Sequence, residues 1–192
     1  MVIFDSQTMK RFQIFFDLLL KWNQTINLIS REESLDEIWK RHFLNCYSLC
    51  AFIQQDDIVI DLGSGGGFPS LVVAIGSQCS VYCVESDFKK CQFLQTVSRE
   101  TSASATIIHQ NINALNPIKS ATIVTSRALA TLQKLFEWVY SLYPQGIRCL
   151  FLKGASIYQE IKQAKMQWSF QYELHANGDQ GFIVDVSNIK PR

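Results

Sequence analysis

Two carboxylates, a glycine run and two cations hold the residue types in this chain best suited to chemistry: Asp61, Gly63-Ser64-Gly65-Gly66-Gly67, Glu85, Arg127 and Lys153. In the stretch IVIDLGSGGGFP, residues 58–69, an apolar run ends at Asp61 and breaks at once into glycines. That pattern reads as a buried parallel strand entering a nucleotide-cradling turn. Glycine tolerates positive φ and lacks the Cβ that would hold a ligand away from backbone N–H groups. Asp61, at the strand end, can reach a polar ligand group. Glu85 closes a second apolar run, residues 80–84, near the spacing at which dinucleotide folds place a ribose-binding carboxylate.

The glycine pattern alone does not choose the nucleoside. The sixth position of the G-x-G-x-x-G template is Phe68, and no G-x-x-x-x-G-K-[ST] run occurs, which argues against P-loop chemistry. A dinucleotide or S-adenosylmethionine remains, and the methyl donor is the preferred reading. Its ribose diol suits Glu85 and its amino-acid portion suits a flexible glycine loop. A plain tight turn would need to explain the glycines, Phe68-Pro69 and the second strand-end acid together.

At 192 residues the chain fits one domain with a small appended element. Its 47% hydrophobic and 12% aromatic content implies a packed core rather than disorder. The apolar stretches are too short or interrupted to span a bilayer, and the start lacks the features of an export signal, so a cytoplasmic protein with no membrane partner is expected. Cys46, Cys50, Cys79, Cys83, Cys91 and Cys149 form no CxxC pair and no zinc spacing with the three histidines, so no metal is expected. A net charge of +1 neither demands nor forbids a polyanionic partner.

The elements that would position these groups are legible as periodicity. Phe12, Phe15, Phe16, Leu19 and Leu20 carry helical spacing across residues 8–22, and Ser34 with Glu37 has capping-box spacing before a second helix containing His42. Strands are predicted at 58–62, 80–85, 106–109, 121–125 and 149–153, with helices at 69–75, 89–100 and 129–143. Such alternation implies a mostly parallel, doubly wound Rossmann-like α/β sheet, with ligands beyond the carboxyl ends of the strands. Residues 170–175 and 181–186, separated by Asn177-Gly178, predict an antiparallel C-terminal hairpin. The expected division is an N-terminal helical cap, 1–56, and a catalytic domain, 57–192, forming one compact unit.

Several segments together carry a resemblance. Trp22-Asn23-Gln24-Thr25-Ile26-Asn27-Leu28, Arg41-His42-Phe43-Leu44-Asn45, the glycine loop through Pro69, Glu85-Ser86, Thr125-Ser126-Arg127-Ala128 and Leu152-Lys153-Gly154 resemble the GidB (RsmG) family of bacterial small-subunit rRNA methyltransferases. The resemblance implies a class I S-adenosylmethionine-dependent methyltransferase that methylates guanine N7 in 16S rRNA near the decoding site, on rRNA or the small ribosomal subunit. It implies cofactor contacts from Gly63, Phe68, Glu85, Ile112, Asn113 and Arg127, to which the strand-end and loop pattern adds Asp61, Ser64 and Gly65. Arg127 resembles the family's arginine beside cofactor and target base and Lys153 its basic residue at a later strand end, and as cations both are expected to grip guanine O6 or RNA phosphate. His42 is expected to be a packed core histidine, and a monomer is expected. Asn45, Asn111-Ile112-Asn113 and the Gln180-Gly181 position depart from the family pattern. The alternatives are a diverged cofactor-binding ribosome-assembly factor with little activity, or an NAD-dependent oxidoreductase.

Overall fold

A computed structural model describes residues 4–179 and 181–192. Asp5 accepts the amides of Gln7 and Thr8, each at 2.9 Å, and so starts α1 (Ser6–Trp22). The apolar stripe of α1 then buries Phe12, Phe15 and Leu19 completely. Burying a side chain of that size contributes about 1.5–3 kcal/mol. The Ser34–Glu37 capping box is present and opens α2 (Leu35–Ile38). The expected single helix then becomes a π-helical segment, Trp39–Leu44, followed by α3 (Asn45–Tyr47) and a 3-10 turn, Ser48–Phe52. The wider π turn places consecutive residues His42 and Phe43 both inside.

The sheet contains β1 (Ile58–Leu62), β2 (Ser80–Glu85), β3 (Ala105–His109), β4 (Ile123–Arg127), β5 (Arg148–Lys153), β6 (Trp168–Asn177) and β7 (Gly181–Pro191). Their spatial order is β3-β2-β1-β4-β5-β7-β6, with the first five parallel and β7 antiparallel to both β5 and β6. The chain leaves β1 toward β2 on one side and returns to β4 on the other, so the crevice at the end of β1 is a topological switch point. Helices α4 (Ser70–Gly76), α5 (Phe88–Thr101), α6 (Leu132–Leu142) and α7 (Ile157–Ala164) cover the sheet. No helix among the described residues is long and apolar enough to cross a membrane.

Three expectations shift. The strand expected at 121–125 runs Ile123–Arg127, which makes Arg127 a strand-end residue hydrogen-bonded into the sheet register opposite Leu152. The helix expected from Leu129 begins at Leu132, because residues 128–131 form a loop in which Ala128 adopts φ +51°. Helix α7 has no counterpart in the sequence reading: its buried contacts are only Ile157, Ile161 and Ala164, too sparse a stripe to stand out.

The helices that precede β1 pack on the glycine loop through aromatic rings. Phe15 stacks on Phe68 of the glycine loop at 5.0 Å and 17°, and Phe43 meets the same ring edge-on at 5.2 Å. Residues of α1 therefore share one core with α4, α5 and the loop that follows β1.

Candidate active site

A cavity of about 450 Å³ opens at the carboxyl ends of β1, β2 and β4. Its walls include Gly63, Ser64, Gly65, Phe68, Glu85, Ile112, Asn113 and Arg127, so eight of the residues expected to meet a ligand come together here. Asp61 and Lys153 do not line it.

The glycine loop is shaped by what lies behind it. A Cβ on Gly63, at φ +72°, would stand 2.6 Å from Leu129 Cδ1, and one on Gly67, at φ +83°, 2.8 Å from Leu71 Cδ1. Gly65 has φ +53° but nothing nearer than 3.9 Å to its absent Cβ, so its lack of a side chain leaves space on the ligand side. The Gly63 and Ser64 amides both donate to the Val84 carbonyl at 3.0 Å, tying the loop to β2.

Glu85, at the end of β2, accepts the Gly65 amide at 2.9 Å through Oε2 and the Ser86 and Asp87 amides at 2.8 Å through Oε1. Oε1 is filled by its two amides, whereas Oε2 keeps one lone-pair direction free to accept a ribose hydroxyl, as a strand-end carboxylate does in nucleoside sites. At the other wall, Asn113 Oδ1 accepts the Trp138 indole N–H at 2.8 Å, while Asn111 Oδ1 accepts the Asn113 amide at 2.9 Å. The two departing asparagines therefore build the turn and fix an indole. Trp138 was not anticipated from the sequence. The available signal was its position on α6 beside, not within, the buried stripe Leu132, Leu135, Phe136 and Val139, where a large aromatic packs only partly against the core.

Asp61 is fully buried behind the loop, so its carboxylate cannot reach a ligand as expected. Its Oδ1 accepts the Thr125 hydroxyl at 2.9 Å and its Oδ2 has no partner. Burial pushes its pKa up to about 6. Lys153 is also spent inside the fold. Its ammonium donates to the Ala130 carbonyl at 2.6 Å and to Glu160 at 2.8 Å, so a free cation for RNA is not what the strand end presents. The shift has a topological cause: α7 places Glu160 over the end of β5.

Arg127 lies over the Phe68 ring, its Cζ 5.3 Å from the ring centroid, and turns donors toward the cap: to the Arg41 carbonyl at 2.9 Å and to His42 Nδ1. His42 Nε2 meets Glu33 at 2.6 Å, and Glu33 also pairs with Arg41. His42 is thus a buried polar link rather than only a packed ring. Desolvation, aided by the Arg127 charge, lowers its pKa to about 4 and keeps it neutral. Of the two other departures from the family pattern, Asn45 lies away from the cavity. The Asn45 side chain sits against Gly178, and its carbonyl accepts Asn177 Nδ2 at 2.8 Å, while Gln180 lies outside the described residues.

The cysteines are free, and burial pushes the Cys46 and Cys50 thiols up to about 11 and Cys83 up to about 12, so they remain protonated packing groups. Among the described residues, no cluster of three or more His, Cys, Asp or Glu could hold a metal ion.

Comparison with known proteins places this geometry. The family model GidB, described as rRNA small subunit methyltransferase G, matches residues 8–180. A Ribosomal RNA small subunit methyltransferase G from Gluconobacter oxydans is 36% identical over 192 residues, covering 99% of this chain and 98% of the relative. The protein of the same name from Rickettsia prowazekii is 35% identical, covering 96% of each. Among solved structures, M. jannaschii TYW2 in complex with AdoMet aligns with a TM-score of 0.60 at 16% identity, over 81% of this chain and 78% of that one. A SAM dependent methyltransferase from Aquifex aeolicus gives 0.60 at 10% identity, over 79% and 94%. These two share the fold. The sequence match extends through cap, glycine loop and tail alike, and the chain belongs to the GidB family.

Proposed function

We propose that this protein transfers the methyl group of S-adenosylmethionine to N7 of a guanine in 16S small-subunit rRNA near the decoding site. The observation that carries the reading is the composition of the cavity wall. Among its described residues Glu85 is the one acid, it already accepts three backbone amides, and no histidine is present. Apart from Lys90, such a wall offers no uncommitted side chain of a general-base type, and guanine N7 needs none, because its lone pair is exposed on the major-groove edge.

The residues present fit the cofactor. A cavity of about 450 Å³ lies within the range of roughly 300–1,000 Å³ usual for small-molecule sites. Glu85 would hold the ribose diol, the cradle at Gly63, Ser64 and Gly65 the amino-acid portion, and Ile112 and Asn113, backed by Trp138, the adenine. When bound, the cofactor supplies an electrophilic methyl on a cationic sulfur. Arg127 and Phe68 stand at the same wall, where the guanidinium can donate to guanine O6 or phosphate and the ring can exclude water. The segment 1–56 acts as a cap on the 57–192 domain: it brings Leu28 to the cavity wall and packs Phe15 and Phe43 against the Phe68 ring. The partner is 16S rRNA or the small subunit, the protein works as a monomer, and this chemistry belongs in the cytoplasm.

The test is transfer of labelled methyl to small subunits lacking the modification, with the labelled nucleoside identified. Label in 7-methylguanosine at one position is expected. Saturable cofactor binding without label would turn the reading toward a binding protein, and stabilisation by nicotinamide dinucleotide but not S-adenosylmethionine would overturn it.

A further inference from the structure

The polar chain Arg127–His42–Glu33–Arg41 crosses from the end of β4 into the cap and touches the cavity at only one end. Its proton arrangement follows from valence. Arginine has donors only, so His42 Nδ1 must present a lone pair to the Arg127 guanidinium. The ring proton therefore resides on Nε2, where it donates to Glu33 across 2.6 Å. Glu33, with its side chain only 9% exposed, is held in turn by Arg41.

We propose that His42 and Glu33 are positioning residues for methyl transfer: Glu33 fixes the His42 tautomer and ring plane, and His42 seats the Arg127 guanidinium against Phe68 at the cavity wall. This rests on the reading above that Arg127 faces the acceptor base. The groups facing His42 are Arg127 from β4, Glu33 from the loop before α2, Arg41 from its own segment and Phe68 from the glycine loop, whose ring centroid is 5.1 Å away. Cys46 lies against the other side of Arg127, its sulfur 3.6 Å from Nη1. A second proton on His42 would set an N–H against the guanidinium N–H. Arg127 would then have to leave its seat.

A structural brace and a positioning relay differ in what they predict. If the relay acts through Arg127, Glu33→Ala and His42→Ala each lower kcat about tenfold, while cofactor Kd and KM for the subunit stay within about twofold. Glu33→Gln, whose amide oxygen still accepts from Nε2–H, restores most of kcat. In an Arg127→Ala background neither alanine substitution lowers kcat further, since coupled groups are non-additive. Equal losses in both backgrounds, or loss of melting temperature with unchanged kcat, would overturn the proposal.

The ring can be read without turnover. Nitrogen-15 NMR of histidine-labelled protein is expected to show His42 Nδ1 unprotonated and Nε2 protonated at pH 7, with that assignment weakened in Glu33→Ala. A proton on Nδ1 would overturn the relay whatever the reaction is. A wild type that transfers no methyl but shows the expected spectrum would instead remove the proposed acceptor, leaving the relay in place.

Discussion

Glu85 Oε2 accepts the Gly65 amide at 2.9 Å, so the carboxylate at the end of β2 latches the glycine loop that follows β1. One side chain thereby fixes the loop and leaves the second lone pair of Oε2 for the cavity. Replacing it removes a charged acceptor, and hydrogen bonds to charged groups are worth about 1.5–3 kcal/mol each. Glu85→Ala is expected to raise the S-adenosylmethionine Kd by about ten- to a hundredfold in calorimetry, with Glu85→Gln between it and the wild type. An unchanged Kd in Glu85→Ala would take this residue out of the site.

The glycines at 63 and 65 separate folding from binding. A methyl on Gly63 collides with Leu129 and must also occupy φ +72°, so Gly63→Ala should destabilise by about 1–3 kcal/mol and lower the melting temperature by several degrees. Gly65→Ala meets open space, so its stability cost is the backbone strain alone, about 1–2 kcal/mol. Its methyl group stands at the ligand side, and cofactor affinity should fall more than for Gly63→Ala measured at a temperature where both are folded. The reverse ranking would place the ligand elsewhere.

The part of the site legible in sequence was the part built from local chain. Strand β1, its glycines and Glu85 lie on two short segments, and apolar runs ending in acids reveal them directly. What stayed hidden depends on long-range contacts. Nothing in the residues around Asp61 says that Thr125 and α4 will close over it, and nothing around Lys153 says that Glu160 will fold back above it from a helix whose stripe is only three residues deep. The hairpin at β6 and β7 was visible through Asn177-Gly178, yet both strands run further than the alternating pattern indicated, to Trp168 and Pro191. The role of His42 was concealed for the same reason: its aromatic neighbours in sequence suggest packing, while its polar partners come from residues 33 and 127.

Lys153 offers a direct test of where RNA is gripped. Its side chain is 10% exposed, and Glu160, which it neutralises, also accepts the Leu132 amide at 2.9 Å at the start of α6. Removing one partner of a buried pair leaves a bare charge, and Lys153→Ala should cost about 3–5 kcal/mol in denaturant unfolding. Lys153→Met combined with Glu160→Gln should recover a large part of that. Were Lys153 on a phosphate, replacing it would instead lower the salt dependence of subunit binding by about one counterion. The salt slope of Lys153→Met is expected to match the wild type, and a reduced slope would return Lys153 to the RNA interface.

Asp61 makes stability depend on pH in a direction opposite to that of a paired carboxylate. Its folded pKa, about 6, lies above the ordinary 3.8, so the native state binds its proton more tightly than the unfolded chain does. The sign follows from linkage: this stabilisation is fully present below the unfolded value and lost as pH rises through about 6. A gap of about two pKa units corresponds to roughly 3 kcal/mol at the upper limit. His42 works the other way, since its folded pKa of about 4 lies below 6.5 and its contribution is lost as pH falls through that window. The Asp61 effect must therefore be isolated by difference. Asp61→Asn keeps an acceptor for Thr125 and replaces the unpartnered Oδ2 with a donor, near a Ser70 hydroxyl that is itself buried without a partner. The variant is expected to melt higher than the wild type at pH 8, with the advantage shrinking steadily down to pH 5. A difference that does not change across that range would mean that Asp61 is not the group that titrates.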